Sequence, residues 1–154
     1  PDYSSAASDV YKRQMKKGLT ASAFDLLHAG HIQMLEEAKE QCGYLVCALQ
    51  VDPTVDRPEK NKPIQSVFER YIQLRAVKYV DDIIPYTTES ELLQLIEIIH
   101  PDVRIIGEEY RDKDFTGKQY CLDNDINIYY NRRQHAFSTS QLRKRVSFGN
   151  ELDK

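Results

Sequence analysis

Two histidines three residues apart, His28 and His31, with Gly30 between them, are the residues best suited to chemistry on a phosphate. They lie in "FDLLHAGHIQML" (24–35), where an apolar, strand-like run passes into a helix-like one. On an incipient helix two rings at this spacing share a face, one turn apart. At a helix N-terminus they add N–H donors to the partial positive charge already there. Gly30 removes a side chain, so a bulky anion can approach the backbone. Read alone, the pair also suits a helix cap or part of a metal site. Zinc needs two further ligands, and Cys42 and Cys47 sit near the far ends of expected elements, so no protein metal ligand is predicted. The sequence has neither GxxxxGK[ST] nor GxGxxG, and its six glycines are spread singly. A phosphate would therefore be held by helix N-termini and side chains.

At 154 residues, the chain is the size of one domain with a real core. A net charge of −3 gives no global positive field to recruit nucleic acid. No apolar run approaches the roughly 20 residues that a membrane span needs. Cys42, Cys47 and Cys121 form no CxxC and read as reduced thiols of a cytoplasmic protein. Residues 1–14, "PDYSSAASDVYKRQ", are polar and aperiodic, and are expected to be a disordered extension upstream of a domain over 15–148. Residues 149–154, "GNELDK", are expected to be a frayed tail.

The elements that must position the histidines follow from apolar periodicity. Strands are expected at 19–24, 44–51, 82–86, 103–107 and 126–130. Helices are expected at 30–41, 64–80, 89–100 and 138–148, the last opened by the capping pattern Ser138-x-x-Gln141. This alternation predicts an α/β fold, a single Rossmann-like domain with a five-stranded, mostly parallel sheet flanked by helices. Ligands of such sheets bind beyond the carboxyl ends of the strands, at the switch point. Three polar clusters converge there: the histidine pair, "GEEYR" (107–111) and "RRQHAFSTS" (132–140).

In this order, "FDLLHAGH", "CGYLVCA", "KYVDDIIP", "GEEY" and "RRQHAFSTS" resemble the motifs of the HxGH nucleotidyltransferases. Within these the chain is most similar to the glycerol-3-phosphate cytidylyltransferase-like branch, over nearly all of 18–146. The resemblance implies in-line attack of an acceptor phosphate oxygen on the α-phosphorus of CTP, with pyrophosphate leaving. Catalysis then reduces to positioning and charge stabilisation. By position in the motifs, it implies catalytic roles for His28, His31, Arg133, Ser138 and Thr139. It implies nucleotide contacts from Ala23, Phe24, Asp25, Gly30, Lys60, Lys62, Gly107, Glu108 and Ser138, and acceptor contacts from Asp52, Arg70, Lys78 and Asp81. Mg²⁺ would accompany the CTP, and a homodimer making an activated building block for a surface polymer or lipid head group is implied.

The sequence departs from the family in three places. "SAFD" stands where "GTFD" is usual, Lys78 replaces an arginine, and "TTESELLQ" replaces a tryptophan-containing segment of the acceptor site. The acceptor can therefore differ while nucleotidyl transfer is retained. Two alternatives stand beside this reading: ATP-dependent adenylyl transfer to a sugar or polyol phosphate, and an inactive nucleotide-binding module. The intact histidine pair and serine–threonine motif argue against the second.

Overall fold

A computed structural model describes residues 4–132 and 136–152. After a leading helix α1 (Ser5–Gln14), strands and helices alternate: β1 (Lys17–Ser22), α2 (Ala29–Glu40), β2 (Tyr44–Gln50), α3 (Val67–Arg75), β3 (Asp82–Tyr86), α4 (Glu89–Ile99), β4 (Val103–Gly107), α5 (Lys118–Asp123), β5 (Asn127–Asn131) and α6 (Thr139–Leu152). The five strands form one sheet in the order β3-β2-β1-β4-β5, and every neighbouring pair is parallel. The expected "mostly parallel" sheet is wholly parallel among the described strands.

The continuous apolar run of β2 is what a central strand covered on both faces requires, and all of it after Tyr44 is buried. One face packs Phe24, Leu35, Ala38, Leu74 and Ile105 beneath α2 and α3. The other packs Leu19, Ala48, Leu92, Ile96 and Cys121 beneath α4 and α5. Strand order reverses between β1 and β4, which makes their carboxyl ends the switch point. Lys17 through Ser22 pair with β2 along the whole strand, but against β4 only Gly18 and Leu19 are registered, with Val103 and Arg104. The two central strands thus open a crevice above Leu19.

Helix reaches close to both ends of the described residues. The segment taken as a disordered extension contains α1, capped by Ser4 Oγ, which accepts from the Ala7 amide at 3.2 Å; none of its residues is buried. The segment taken as a frayed tail continues α6 to Leu152. The helix expected over 64–80 is shorter, because Ser66 and Glu69 form a reciprocal cap that starts it at Val67. The 3₁₀ turns Pro53–Val55 and Glu108–Tyr110, and the short α5, lack an extended hydrophobic period and were invisible to it. Among the described residues no helix is long and apolar enough to cross a membrane.

Candidate active site

The turn from β1 into α2 is strained and pinned. Phe24 and Leu26 both take left-handed backbone angles, φ 49° and 50°, which cost a residue with a side chain about 1–2 kcal/mol each. Asp25, between them, holds the turn in place. Its Oδ1 accepts from the Gln65 amide at 3.0 Å, and its Oδ2 accepts from the Ile64 amide at 2.9 Å and Arg143 Nη2 at 3.1 Å. Burial by itself raises the Asp25 carboxyl pKa, but these hydrogen bonds outweigh it and hold the group below its ordinary value. Ser22 Oγ accepts from the Phe24 amide at 3.3 Å, so the "SAFD" departure supplies a hydroxyl to the turn.

The two histidines cap α2 reciprocally. His28 Nδ1 accepts from the Gly30 amide at 3.0 Å, and His31 Nδ1 accepts from the His28 amide at 3.2 Å. Capping fixes the chemistry, since a neutral imidazole that accepts at Nδ1 carries its proton at Nε2. Both rings therefore present Nε2–H donors without needing a positive charge. Burial, then the neighbouring His28, push the His31 pKa down to about 4, against a smaller opposing pull from Asp25. The ring centroids lie 4.1 Å apart. His28 Nε2 is 3.3 Å from Thr139 Oγ1, in the first turn of α6, whose N-terminus thereby meets that of α2.

Two clefts adjoin at His31 and Thr139. The first, about 250 Å³, runs from His28, Gly30 and Ser138 across Met34 to Gly107, Glu109, Asn131, Arg132 and Phe137. The second, about 190 Å³, lies over Ser22, Ala23, Phe24 and Asp25 and reaches Asn61, Ser140 and Arg143. The site is therefore a bent trough beyond the carboxyl ends of β1, β4 and β5.

Of the residues singled out from sequence, His28, Gly30, His31, Gly107, Ser138 and Thr139 meet in the first cleft, and Ala23, Phe24 and Asp25 in the second. Lys60 and Lys62 are exposed and flank Asn61, which lines the second cleft. Arg133 lies outside the described residues; its neighbour Arg132 lines the first cleft. Glu108 lines neither cleft, whereas its neighbour Glu109 lines the first: the 3₁₀ turn sends successive side chains in different directions, and Glu109 folds back over the bare face of Gly107.

The four acceptor candidates do not assemble. Asp52 Oδ1 caps the Pro53–Val55 turn, accepting from the Thr54 amide at 2.9 Å and from its hydroxyl at 2.6 Å. Arg70 is 2% exposed and gives its guanidinium to the carbonyls of Gln65, Ala23, Gln50 and Val51, so it braces the loops and is not presented to a ligand. Lys78 and Asp81 sit just before β3, at the amino edge of the sheet and the opposite end from the histidines. There Asp81 accepts from the Leu45 amide at 2.7 Å and pairs with Lys39, while Lys78 lies over the Tyr79 ring. Sequence reading also missed Arg143, Asn61 and Asn131. Arg143 was visible five residues beyond Ser138, where α6 would carry it back toward the β1 turn.

The Cytidylyltransferase-like family model matches residues 19–145. The chain is 32% identical over 133 residues to the glycerol-3-phosphate cytidylyltransferase of Bacillus subtilis, covering 86% of this chain and 98% of that one. It is 33% identical over 125 residues to the bifunctional protein HldE of Nitrosococcus oceani, of which it spans only 26%. A FAD synthase of Thermococcus sibiricus is 28% identical over 128 residues, with 86% of that protein covered. Among solved structures, the lipopolysaccharide core biosynthesis protein of Thermoplasma volcanium shares the fold, with a TM-score of 0.65 at 24% identity over 79% of this chain and 99% of that one.

Proposed function

Because the chain belongs to the cytidylyltransferase-like family, we propose that it transfers CMP from CTP to a small phosphorylated acceptor, releasing pyrophosphate. The observation that carries this reading is the convergence of two Nε2–H imidazoles, the N-termini of α2 and α6 and the side-chain-free Gly30 on one trough. The α-phosphate lies against His28, His31 and Thr139. The nucleoside extends along the first cleft toward Gly107 and Glu109, and the β- and γ-phosphates occupy the second, facing Arg143, Ser140 and the loop that carries Lys60 and Lys62. The Nε of Arg143 is buried without a partner among the described residues, which leaves it a donor for an anion there.

An acceptor phosphate oxygen forms a bond to the α-phosphorus as the bond to the β-bridging oxygen breaks, and that electron pair leaves with pyrophosphate. A phosphate monoester is already ionised near neutral pH, so the protein need supply no base. His28 and His31 donate to oxygens that gain charge as the phosphorus becomes crowded. Among the described residues no three His, Cys, Asp or Glu side chains converge on a cation site. A Mg²⁺ ion would be carried by the triphosphate oxygens and water, a mode suited to a small, tightly hydrated cation, and would neutralise their charge. Arg132 remains in the cleft for the role expected of Arg133. By the same resemblance the protein is a homodimer.

CTP is favoured by the identity to a cytidylyltransferase over nearly all of that protein's length. A second reading, adenylyl transfer from ATP, is favoured by the resemblance to a FAD synthase, whose product carries an adenylyl group. Pyrophosphate release with CTP and with ATP, against glycerol 3-phosphate and a panel of other phosphates, separates the two. Turnover with CTP is expected; turnover with ATP alone would replace the first reading by the second. The variant His31→Ala should lose on the order of 10² to 10³ in rate with the fold retained.

A further inference from the structure

The first cleft contains a polar group with no role in the reading above. Asn131 ends β5 and lines the cleft, yet it is 4% exposed, and its Oδ1 is buried without a hydrogen-bond partner among the described residues. A buried amide oxygen left unpaired is costly, so its persistence points to a partner that arrives with a ligand. Its surroundings indicate which part of the ligand. Met34 and Phe137 give the cleft apolar walls, and Gly30 leaves one side bare, which together suit a flat heteroaromatic ring. The histidines, at the other end of the same cleft, take the phosphate.

The geometry points to Asn131 as the residue that reads the base edge, selecting a nucleobase that bears an exocyclic amino group over its oxo counterpart. This inference rests on the nucleotidyl-transfer reading. A carboxamide offers an acceptor beside a donor, which matches the amino group and adjacent ring nitrogen of cytosine or adenine. An amide could turn over to suit uracil or guanine, but Gly107 is the registered cross-strand partner of Asn131, and the Glu109 carboxylate folds over Gly107. Two oxygen acceptors then face the same region. An amino group can donate toward both, whereas a carbonyl oxygen there would meet carboxylate repulsion.

The test compares pyrophosphate release from CTP, UTP, ATP, GTP and 2′-deoxy-CTP by wild-type protein and by Asn131→Leu, with the melting temperature of each protein taken without ligand. Wild type should prefer each amino nucleotide over its oxo partner. Asn131→Leu should lower that preference at least tenfold, through a higher KM for the amino nucleotide at little-changed kcat, and should melt no lower than wild type. A variant that keeps the amino-over-oxo ratio overturns the inference. So does one that loses instead the preference for CTP over 2′-deoxy-CTP, which would assign Asn131 to the ribose. Should the leucine variant fail to fold, wild type decides alone: equal use of CTP and UTP, and of ATP and GTP, overturns the base-edge role while leaving nucleotidyl transfer intact. Wild-type protein that binds no nucleotide in calorimetry removes both readings.

Discussion

Each histidine of the pair spends Nδ1 on a backbone amide and keeps Nε2–H, so capping and phosphate donation use different atoms of one ring. Spacing in the sequence brought these two residues forward but left cap and donor as rivals; the structure makes them compatible. The His31 pKa of about 4 gives this a pH signature. Between the unfolded value near 6.5 and about 4, the unfolded chain binds a proton at His31 that the folded one refuses. Stability therefore falls as pH drops through that window and is indifferent to His31 above it. Thermal melts from pH 7.5 to 4.5 should show this decline, and His31→Asn should flatten it. Pyrophosphate release should gain nothing from acidification toward pH 6, because the donor is neutral imidazole. Glu109 shows where reading by position runs out. "GEE" offers two adjacent carboxylates, and only the angular step between successive residues of a 3₁₀ turn decides which faces the cleft.

At the scale of elements, most of the site's precision comes from side chains that join one segment to another. Asp25 ties the β1–α2 turn to the segment entering α3 and to α6, while Arg70 ties α3 to the carbonyls at the ends of β1 and β2. Glu37, two turns along α2 from His31, accepts from the Tyr129 hydroxyl at 2.8 Å and from the Arg132 amide at 3.1 Å, which holds the exit of β5 beside the cleft. Asp25→Ala should cost about 2 kcal/mol or more in urea unfolding, since it strips partners from two amides and a guanidinium. Glu37→Ala should leave the melting temperature within a few degrees but raise KM for the nucleotide severalfold; an unchanged KM would remove its positioning role. Strand and helix order was legible because apolar periodicity is local. These links were not: Arg70 was read as a ligand contact, because a charged residue in a motif looks the same whether it faces a substrate or a carbonyl 47 positions away.

For the molecule as a whole, periodicity and the carboxyl-edge rule sufficed to anticipate the sheet and the placement of the trough, while composition gave no sign of the helix at residues 5–14. Residues 5–14 are polar overall, yet a serine cap and an unbroken run of helix-permissive residues let them form α1 without a buried face. Because nothing in α1 is buried, a chain starting at Met15 should keep its melting temperature and its turnover. A marked drop in either would make α1 part of the working domain. The sheet also has a mechanical side. With β1 and β4 registered only at Gly18–Val103 and Leu19–Arg104, the strand pairing that joins β3-β2-β1 to β4-β5, as one panel to another, lies at one end of the seam. The histidines ride on one panel, and Gly107 and Asn131 on the other. A bound nucleotide would span the gap and serve as the missing rungs, so part of the domain's stiffness would be supplied by its own substrate and returned to solvent with each product released.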